Sequence, residues 1–405
     1  MPVKSLCGGV FVFYVGIDIA KNKHEASVID ADGKPLLESI SFSNSKQGCE
    51  KLLTLFERLD VSKDSVLIGM EATGHYWLSV HAFFFELGYD VKVINPIQSE
   101  AFRKMYIRQT KNDSKDAFII AQIMRFGQFS ATKLSEERIV ALRQLSRYRL
   151  ALVDSCGDCK RRIIALLDQV FPEYDRLFSD TFGVTSKEIL LKYPTPEDML
   201  AVSTRKLATL LAKSSRGRFG EEKAEQLKNA AADSFGVSFA KDAFSFQIQQ
   251  LMEQILFLEK QVAELELKIS ALLEQMDSFI TTIPGIGETL GAIILSEIGD
   301  IYRFDSPGKL VAFAGLDVKV NQSGEFTGTK TKISKRGSPY LRRAIWLAAS
   351  RAAFCDPILS EYYQSLRARG KHHLTAVGAV ARKLCNIIFA ILRENRPYLP
   401  APPKS

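Results

Sequence analysis

The fold is decided near the start of the chain, where residues 11–20 read Phe11-Val-Phe-Tyr-Val-Gly-Ile-Asp-Ile-Ala20. Val, Ile, Phe and Tyr are residue types that strands favour, so this stretch predicts a buried β-strand. One acid, Asp18, interrupts it, and a carboxylate inside an apolar strand is costly unless it is paired or binds a metal. The alternative is an ordinary aspartate that faces water at the strand edge. Asp18 is therefore a candidate site residue.

The elements that follow extend this strand into a mixed sheet. Further strands are predicted at 26–29, 35–42, 65–70 and 90–94, and helices at 45–59, 75–87 and 114–126. Asp32-Gly33 forms a hairpin turn between the second and third strands. Three strands in hairpin succession, followed by alternating helices and strands, predict a mixed sheet flanked by helices. This is the RNase H-like order, and it predicts an α/β domain over residues 1–130.

The remainder of the chain is predicted to be all-α, so the fold class is α/β plus all-α. Helical patterns run through residues 131–277, which we expect to form a linker. They continue through residues 278–396, which we expect to form a compact and mostly helical domain. The last segment, 397–405, is rich in Pro and is predicted to be a disordered tail.

The linker contains a heptad seam from 244 to 276. Its apolar residues alternate in steps of four and three, and they are Phe244, Ile248, Leu251, Ile255, Leu258, Val262, Leu265, Ile269, Leu272 and Met276. This spacing is typical of a coiled coil, and a single helix cannot bury such a seam alone. Its partner is either the same helix of a second subunit or a helix at 163–177 of the same chain. We favour the first, which predicts a homo-oligomer, either a dimer or a tetramer.

Composition and charge narrow the class of protein. The chain has 405 residues, of which 46% are hydrophobic and 25% are charged, and these values exclude wholesale disorder. The sequence has no run of about 18 apolar residues, so we expect a cytoplasmic protein that does not cross a membrane. The net charge of +8 is uneven, because residues 330–405 carry 15 Lys and Arg against 3 Asp and Glu, and residues 101–149 carry 11 against 4. Two basic regions predict a nucleic-acid partner, with a solvated surface as the alternative.

Cys156 and Cys159 form a C-x-x-C pair, the spacing of half a zinc site. A zinc site needs a second pair or histidines at suitable spacing, and the sequence has neither nearby. We therefore predict two reduced thiols within a helix.

Four acids lie at the ends of predicted elements. Besides Asp18, Glu71 follows an apolar strand, and Asp113 and Asp116 lie three apart at a helix start, on one helical face. Taken singly, the last two are explained by the helix dipole, which favours acids at a helix N-terminus. Together the four predict a site for Mg²⁺, or Mn²⁺, because hard divalent cations prefer oxygen ligands. The nearby cations Arg108, Lys111 and Lys115 would offset phosphate charge, as phosphoryl transfer on a nucleic acid requires.

Two C-terminal stretches add candidate contacts and a nucleophile. Pro284-Gly-Ile-Gly287 resembles a helix-hairpin-helix turn, in which backbone N–H groups, here near Gly285 and Gly287, hold a DNA phosphate. The alternative is a simple tight turn. Ser323 precedes a glycine in a polar loop, and a serine becomes a nucleophile once a base or a metal removes its proton. Ser334 and Ser338 are rival candidates, although Ser334 could instead cap the following helix. Basic candidates for nucleic-acid contacts surround them: Lys332, Lys335, Arg336, Arg342 and Arg343.

In order along the chain, these stretches resemble the DEDD transposases of the insertion-sequence 110 family, which are RNA-guided serine recombinases of mobile elements. The resemblance rests on six motifs: Gly16-Ile-Asp-Ile-Ala-Lys21, Met70-Glu-Ala-Thr-Gly74, Asp113-Ser-Lys-Asp-Ala117, Pro284-Gly-Ile-Gly287, Gln322-Ser-Gly324 and Ile333-Ser-Lys-Arg-Gly337. It implies a RuvC-like domain that binds Mg²⁺ through Asp18, Glu71, Asp113 and Asp116. It also implies a C-terminal transposase domain whose nucleophile is Ser323, and a coiled-coil region that mediates oligomerisation.

The resemblance further implies an activity. DNA strands would be cut, held covalently on the serine, exchanged and rejoined, which moves the element, and an RNA from the element would pair with donor and target DNA. The alternative is a RuvC-type endonuclease or junction resolvase that uses metal-activated water and forms no protein–DNA adduct. A third reading is a nucleic-acid-binding dimer without enzymatic activity, which the four acids argue against.

Overall fold

The computed structural model describes residues 13–60, 62–72, 74–94, 99–100, 102, 113–127, 137–318, 322–323, 326–327 and 333–400. At 113–114, 322–323 and 326–327 it describes the backbone alone. The chain divides into two compact units, Met1–Leu134 and Ser135–Ser405. They are called unit 1 and unit 2 below.

Unit 1 contains a mixed five-stranded sheet. Its strands are β1 (Phe13–Asp18), β2 (Lys23–Asp30), β3 (Pro35–Ser43), β4 (Val66–Glu71) and β5 (Asp90–Ile94). The order across the sheet is β3-β2-β1-β4-β5, with β1 antiparallel to β2 and parallel to β4. The predicted α/β domain with a mixed sheet is therefore confirmed.

Helices cover both faces of this sheet. One face packs against α1 (Lys46–Arg58) and α2 (Trp77–Glu86), through a core that includes Ile17 and Phe56. α1 begins where the hydroxyl of Ser45 accepts a hydrogen bond from the Gly48 N–H at 3.1 Å, which satisfies a free donor of the first turn. The other face packs against α3 (Asp113–Phe126), whose Ile and Met side chains meet Tyr14 and Leu67.

Unit 2 is mostly helical. Its helices are α4 (Glu137–Val170), α5 (Val184–Lys192), α6 (Pro196–Ala201), α7 (Thr204–Ser214), α8 (Glu221–Ala232), α9 (Lys241–Glu274), α10 (Glu288–Ile298), α11 (Pro307–Phe313), α12 (Pro339–Cys355), α13 (Pro357–Ala368) and α14 (His373–Glu394). A short hairpin of β6 (Gln322–Ser323) and β7 (Phe326–Thr327) lies between α11 and α12. One hydrophobic core joins α5–α8 to parts of α4 and α9, and a second joins α10–α14 to their other ends.

The heptad seam is buried within the chain. α9 packs antiparallel against α4, with Arg149 Nε donating to Glu266 Oε1 at 2.8 Å and Lys160 Nζ lying 3.6 Å from Glu259 Oε1. Of the seam residues, Ile248, Ile255, Leu265 and Ile269 are buried. We expected a second subunit to cover the seam, but the alternative partner in the same chain does so. That partner is longer than the predicted 163–177 helix, because α4 begins at Glu137.

Three further predictions concern residues of unit 2. Cys156 and Cys159 are buried free thiols on α4, as predicted. α14 has the length and hydropathy of a membrane span, but its apolar side chains, including Leu384 and Ile388, lie in the second core. The prediction of a disordered tail from 397 does not hold for the first tail residues. Tyr398 donates from its hydroxyl to Asp356 Oδ2 at 2.7 Å and from its N–H to Thr282 Oγ1 at 2.9 Å.

Candidate active site and nucleic-acid contacts

Two of the predicted acids lie side by side at one edge of the sheet. β1 and β4 are parallel neighbours in which Ile17 is level with Met70. Asp18 and Glu71 are the last residues of these strands, so they leave the sheet at the same level. The carboxyl ends of parallel strands are the usual location for ligand sites in such sheets. The structure therefore brings together Asp18 and Glu71, two residues 53 positions apart in the chain.

Helix α3 brings Asp116 to the same edge. The helix lies so close to β1 that a Cβ at Gly16 would be 2.0 Å from the Ala117 carbonyl oxygen. At its other end, Gln122 Nε2 donates to the Gly33 carbonyl at 3.1 Å, beyond the opposite end of β1. The N-terminal turn of α3 therefore faces the carboxyl end of β1, and Asp116 is 8% exposed there. Asp113 begins the same helix, and its side chain lies outside the described residues.

Sequence reasoning missed two side chains at this edge. Glu25 on β2 is the direct cross-strand partner of Asp18, so their side chains share a face, and it accepts a hydrogen bond from Ser39. Buried Ser99 donates from its hydroxyl to Glu71 Oε2 at 2.6 Å. The predicted second strand began after Glu25, and nothing in the sequence signalled Ser99. The edge is thus richer in carboxylates than the sequence indicated.

The donors at this edge fit a hard divalent cation in their chemistry. Asp18, Glu71 and Asp116 offer only carboxylate oxygens, the ligands that Mg²⁺ and Mn²⁺ prefer. Among the described side chains, no group of three His, Cys, Asp or Glu residues is arranged closely enough to hold a metal ion. Lys115 is exposed beside Asp116, whereas Arg108 and Lys111 lie outside the described residues.

Ser323 lies in the hairpin of unit 2. Gln322 pairs with Thr327 and Ser323 with Phe326, in antiparallel register. The structure describes the backbone of Ser323 but not its side chain, and Lys332 is outside the described residues. The hairpin follows α11 and precedes α12, so both of its ends connect to the second core.

A ladder of backbone hydrogen bonds closes the base of this hairpin. Ser338 donates to the Phe313 carbonyl at 2.9 Å, Lys335 to the Gly315 carbonyl at 3.1 Å, and Ser334 to the Asp317 carbonyl at 2.8 Å. A bridge between Val318 and Ile333 follows these rungs. The two segments touch so closely that a Cβ at Gly337 would lie 2.0 Å from the Phe313 carbonyl oxygen. The ladder leaves Lys335 and Arg336 exposed, as expected for contacts to a nucleic acid.

The hydroxyls of both rival serines have structural partners. Ser334 is buried, donates to Asp317 Oδ1, and accepts from the Arg336 N–H at 3.2 Å. Ser338 caps α12, accepting from the Leu341 N–H at 3.1 Å and donating to Glu297 Oε2 at 2.7 Å. The suggestion that Ser334 caps the following helix is therefore wrong. Ser338 caps it instead, because it immediately precedes Pro339, the first residue of the helix.

Glu297 anchors the end of the ladder nearest α12, a role that sequence reasoning missed. It is 5% exposed on α10 and receives both Nε and Nη2 of Arg147 from α4, at 2.6 and 2.9 Å. These hydrogen bonds raise the pKa of Arg147. Burial lowers the pKa of Arg303 nearby, and the charge of Arg143 lowers it further. Glu297 and Asp300 both oppose this decrease through their charges.

Two predicted cationic contacts already have partners within the protein. Arg343 forms a bidentate ion pair with Asp154 of α4, with both N–O distances at 2.7 Å. The pair lowers the pKa of Asp154 through the hydrogen bonds from Arg343. Arg342 donates from Nη1 to the Ala314 carbonyl at 3.3 Å. Of the described cations in this region, Lys335 and Arg336 are thus the more available for phosphate.

The Pro284–Gly287 turn is built as a close approach between helices. Gly285 has φ of +90°, and a Cβ there would lie 2.8 Å from the Ala348 carbonyl on α12. Gly287 is the N-cap of α10 and has open space around it. An open cavity of about 710 Å³ lies over this turn, and Arg351, which sequence reasoning missed, contributes to its wall. The N-terminus of α10 borders this cavity together with Glu288, whose carboxylate accepts a hydrogen bond from Ser270 at 2.7 Å. Backbone N–H groups at a helix N-terminus favour anions.

Two transposase family models match the chain. A model of DEDD transposases of the IS110 type matches residues 15–172. The model of the transposase IS116/IS110/IS902 family matches residues 277–364. The first match contains the acidic edge, and the second contains the Pro284–Gly287 turn, the hairpin and the ladder.

Similar proteins align over nearly the whole chain. A protein described as an uncharacterized 44.8 kDa product of insertion element IS116, from Streptomyces clavuligerus, is 26% identical over 96% of this chain and 97% of its own. The pilin gene-inverting protein of Moraxella bovis is 24% identical over 95% of this chain and 97% of its own. A mini-circle putative transposase for IS117, from Streptomyces coelicolor, is 27% identical over 90% of this chain and 89% of its own. The similarity therefore extends through both units.

Proposed function

Because this chain belongs to the IS116/IS110/IS902 family of transposases, and so is a DNA transposase or recombinase, we propose that it cuts and rejoins DNA through a covalent bond to Ser323. The Oγ of Ser323 would bond to a backbone phosphorus as the bond from phosphorus to a deoxyribose oxygen breaks. Attack by a deoxyribose hydroxyl of the exchanged strand would then release the serine. The proposal rests on one observation: the hydroxyls of Ser334 and Ser338 already donate hydrogen bonds to Asp317 and Glu297.

We propose that Asp18, Glu71, Asp113 and Asp116 hold Mg²⁺, or Mn²⁺ in its place. When bound, such an ion supplies positive charge against phosphate oxygens. The sheet fixes the first two acids and α3 carries the others. Glu25 and Ser99 support them, since Glu25 shares a face with Asp18 and Ser99 donates to Glu71. Lys115 would offset phosphate charge beside Asp116, as would Arg108 and Lys111.

The DNA backbone would be held by contacts in unit 2. Lys335 and Arg336 are exposed at the ladder, directly after the segment that carries Lys332. The N–H groups after Gly287 would bind a further phosphate, with Arg351 beside them. Arg342 and Arg343 would contribute less, because each already has a partner within the protein.

A guide RNA and self-association complete the proposal. The RNA rests on the resemblance to RNA-guided recombinases and on the basic C-terminal region, and the protein would meet RNA and DNA in the cytoplasm. Because α4 covers the seam, self-association would use another face of α9. Phe246, Phe257 and Leu267 are 63%, 61% and 74% exposed on that helix, which supports such a contact. Replacing Phe257 with Ser should then lower the mass measured by light scattering, whereas the same change at Phe235, outside α9, should not.

The central experiment compares element excision in cells that carry the element. Junction PCR would follow circle formation by wild type, Asp116→Ala, Ser323→Ala and Ser338→Ala at matched protein levels. We expect the first two variants to lose the junction. Ser338→Ala should retain it at a reduced level, because it loses a helix cap, worth about 1 kcal/mol, and its bond to Glu297. A junction that survives Ser323→Ala but not Asp116→Ala would favour the nuclease that uses activated water.

A further inference from the structure

We propose that Asp317 and Ser334 are positioning residues, which clamp the base of the hairpin that carries Ser323. The inference rests on the proposed role of Ser323 as nucleophile. Asp317 contacts Ser334 twice, since its carbonyl accepts the Ser334 N–H at 2.8 Å and its carboxylate accepts the Ser334 hydroxyl. No other described rung of the ladder carries a side-chain hydrogen bond between its own two residues as well as a backbone one.

The clamp lies toward the end of the described ladder that leads to the hairpin. The rungs run from Phe313 and Ser338, beside the helices, to Asp317 and Ser334, next to the bridge of Val318 and Ile333. Beyond this bridge the chain continues without a further described rung until β6. Opening a backbone ladder requires its rungs to break, and a rung held by more hydrogen bonds opens less readily. A second hydrogen bond at this rung therefore resists the opening that would release the hairpin.

Position matters because Ser323 is separated from its supports by several residues. It lies five residues after Val318 and ten before Ile333. Fixing the backbone of the flanking residues removes conformational freedom that would otherwise have to be lost before a reacting atom is in place. Misplacement of a reacting group by about 1 Å costs about 100-fold in rate. The clamp holds the two ends of the segment between Val318 and Ile333 next to each other, and it does so without contacting the substrate.

The same clamp orients the neighbouring cations. The Ser334 hydroxyl donates to Asp317 and accepts from the Arg336 N–H, so both of its functions are used. Lys335, between them, has a φ of +54°, a left-handed conformation that costs a non-glycine residue energy. Its N–H to the Gly315 carbonyl and the Ser334 bonds on either side hold it there. Asp317 thus fixes the start of the serine segment and the outward direction of Lys335 and Arg336.

The rival explanation gives the pair a chemical role. A carboxylate that accepts a proton from a serine hydroxyl is also the arrangement of a general base with its nucleophile. Ser334 would then form the covalent bond, and Ser323 would be structural. Burial of Ser334, at 9% exposure, and its second bond to the Arg336 N–H argue against this role. The two readings differ in which serine carries DNA.

The test uses the full-length protein and Asp317→Ala, Asp317→Asn and Ser334→Ala. Three quantities are measured: the affinity for element-end DNA, the rate of adduct formation at saturating DNA, and amide hydrogen exchange of 333–338. We expect Asp317→Ala and Ser334→Ala to slow adduct formation by about 10- to 100-fold with DNA affinity unchanged. Exchange at Ser334 and Lys335 should rise. Asp317→Asn should remain within about threefold of wild type, because its amide oxygen still accepts the Ser334 hydroxyl.

A matched control separates positioning from general destabilisation. Ser245 donates to Asp198 Oδ2 at 3.0 Å in the helical part of unit 2, a serine–aspartate bond far along the chain from the hairpin. Ser245→Ala should lower thermal stability as Ser334→Ala does, and leave the rate of adduct formation unchanged. If Asp317→Ala proves unstable, the contrast between Asp317→Asn and Ser334→Ala carries the same comparison.

Each remaining outcome has one meaning. Wild-type adduct rate and exchange in Asp317→Ala would overturn the clamp and leave the proposed function intact. An adduct mapped by mass spectrometry to Ser334 would overturn both the clamp and the proposed role of Ser323, in favour of the chemical role. An adduct that persists in Ser323→Ala and maps to neither serine would overturn the proposed function. In that case, faster amide exchange in Asp317→Ala would show only that the clamp stabilises the ladder. Because the inference rests on the proposed role of Ser323, the inference would fail together with the proposed function.

Discussion

The acidic edge and the serine hairpin are held in place by different means. Asp18 and Glu71 end neighbouring strands of a sheet whose core is closed on both faces, and α3 lies against the sheet at Gly16. The hairpin of Ser323 extends from the second core on a short ladder, fixed by side chains such as Asp317. The acids are thus placed by the fold of unit 1, and the serine is placed by local bonds in unit 2.

This difference has consequences for mutation. Changes near the acids should act either on the whole of unit 1, when they disturb packing, or on chemistry alone, when they keep the shape of the side chain. Changes near the hairpin should act on reaction rate while most of unit 2 stays folded. An exception is Glu297, where the ladder meets the second core.

Glu297→Gln should cause the largest loss of stability. The change leaves Arg147 without its buried ionic partner, with the cations Arg143 and Arg303 nearby. Removing one partner of a fully buried ion pair costs about 3–5 kcal/mol, and we expect about 3 kcal/mol here, because the Arg147 side chain is 41% exposed and solvent offsets part of the loss. Urea unfolding of unit 2, followed by the fluorescence of Trp346 in a Trp77→Phe background, measures this cost. A loss below about 1 kcal/mol would mean that the ladder does not depend on this pair. Asp154→Asn, which breaks the exposed pair with Arg343, serves as control and should cost little.

Asp116→Asn should abolish most activity without destabilising unit 1. Asn keeps the shape of the side chain but lacks the charge that a divalent cation requires, so we expect a loss of at least about 100-fold in strand cleavage, equivalent to about 2.7 kcal/mol. Cleavage of element-end DNA at fixed Mg²⁺ measures the rate, and urea unfolding with Trp77 as reporter measures stability. Asp64→Asn, an acid outside this edge, is the matched control. If both variants cleave equally well, Asp116 is not part of the metal site.

Gly16→Ala should destabilise unit 1 more than Gly69→Ala does. A methyl group at Gly16 would meet the carbonyl of Ala117 at 2.0 Å, and a backbone carbonyl can move only with its helix. At Gly69 the nearest atom, at 2.4 Å, belongs to the flexible side chain of Met124. We expect a cost of about 2 kcal/mol for Gly16→Ala, within the range known for overpacking, and less for Gly69→Ala.

The measurement is urea unfolding in a Trp346→Phe background, with Trp77 as the reporter of unit 1. Because α3 carries Asp113 and Asp116, Gly16→Ala should also lower cleavage activity. Equal costs for the two glycine variants would mean that α3 adjusts freely, and that the acids are not held by its close contact with β1.

The contrast between acids placed by a sheet and a serine placed by local bonds explains which parts of the fold and the site could be predicted from the sequence. Strand runs and turns predicted the order of the elements along the chain and a mixed sheet, and the observed sheet places the ends of β1 and β4 together whatever the neighbouring side chains are. Asp18, Glu71 and Asp116 could therefore be predicted as a group. Glu25 could not, because its position depends on the register between β1 and β2, which no single run of residues specifies.

The contacts of unit 2 were less predictable for a physical reason. The bonds of Glu297 to Arg147, 150 positions apart, depend on how helices pack, and helix packing leaves no local pattern in the sequence. The heptad seam predicted a partner helix correctly but not its identity. A seam specifies an apolar surface, and α4 offers one within the chain as readily as a second subunit would.

The smallest expected effect is a dependence of the stability of unit 1 on pH. His24 and His81 are buried in unit 1, and burial lowers the pKa of each. The positive charge of Lys92 lowers the pKa of His81 further. In the unfolded chain both histidines titrate near pH 6.5, so below this pH the unfolded state binds protons that the folded state resists. The stability of unit 1 should therefore be constant above about pH 7 and fall as the pH decreases through 6.5.

Urea unfolding at pH 7.5 and 5.5, with Trp77 as the reporter of unit 1, would measure this fall. A double variant, His24→Gln with His81→Gln, should make the stability of unit 1 nearly independent of pH in this range. The remaining histidines, His75, His372 and His373, stay in place as an internal control. If the double variant keeps the full pH dependence, burial of His24 and His81 is not its cause.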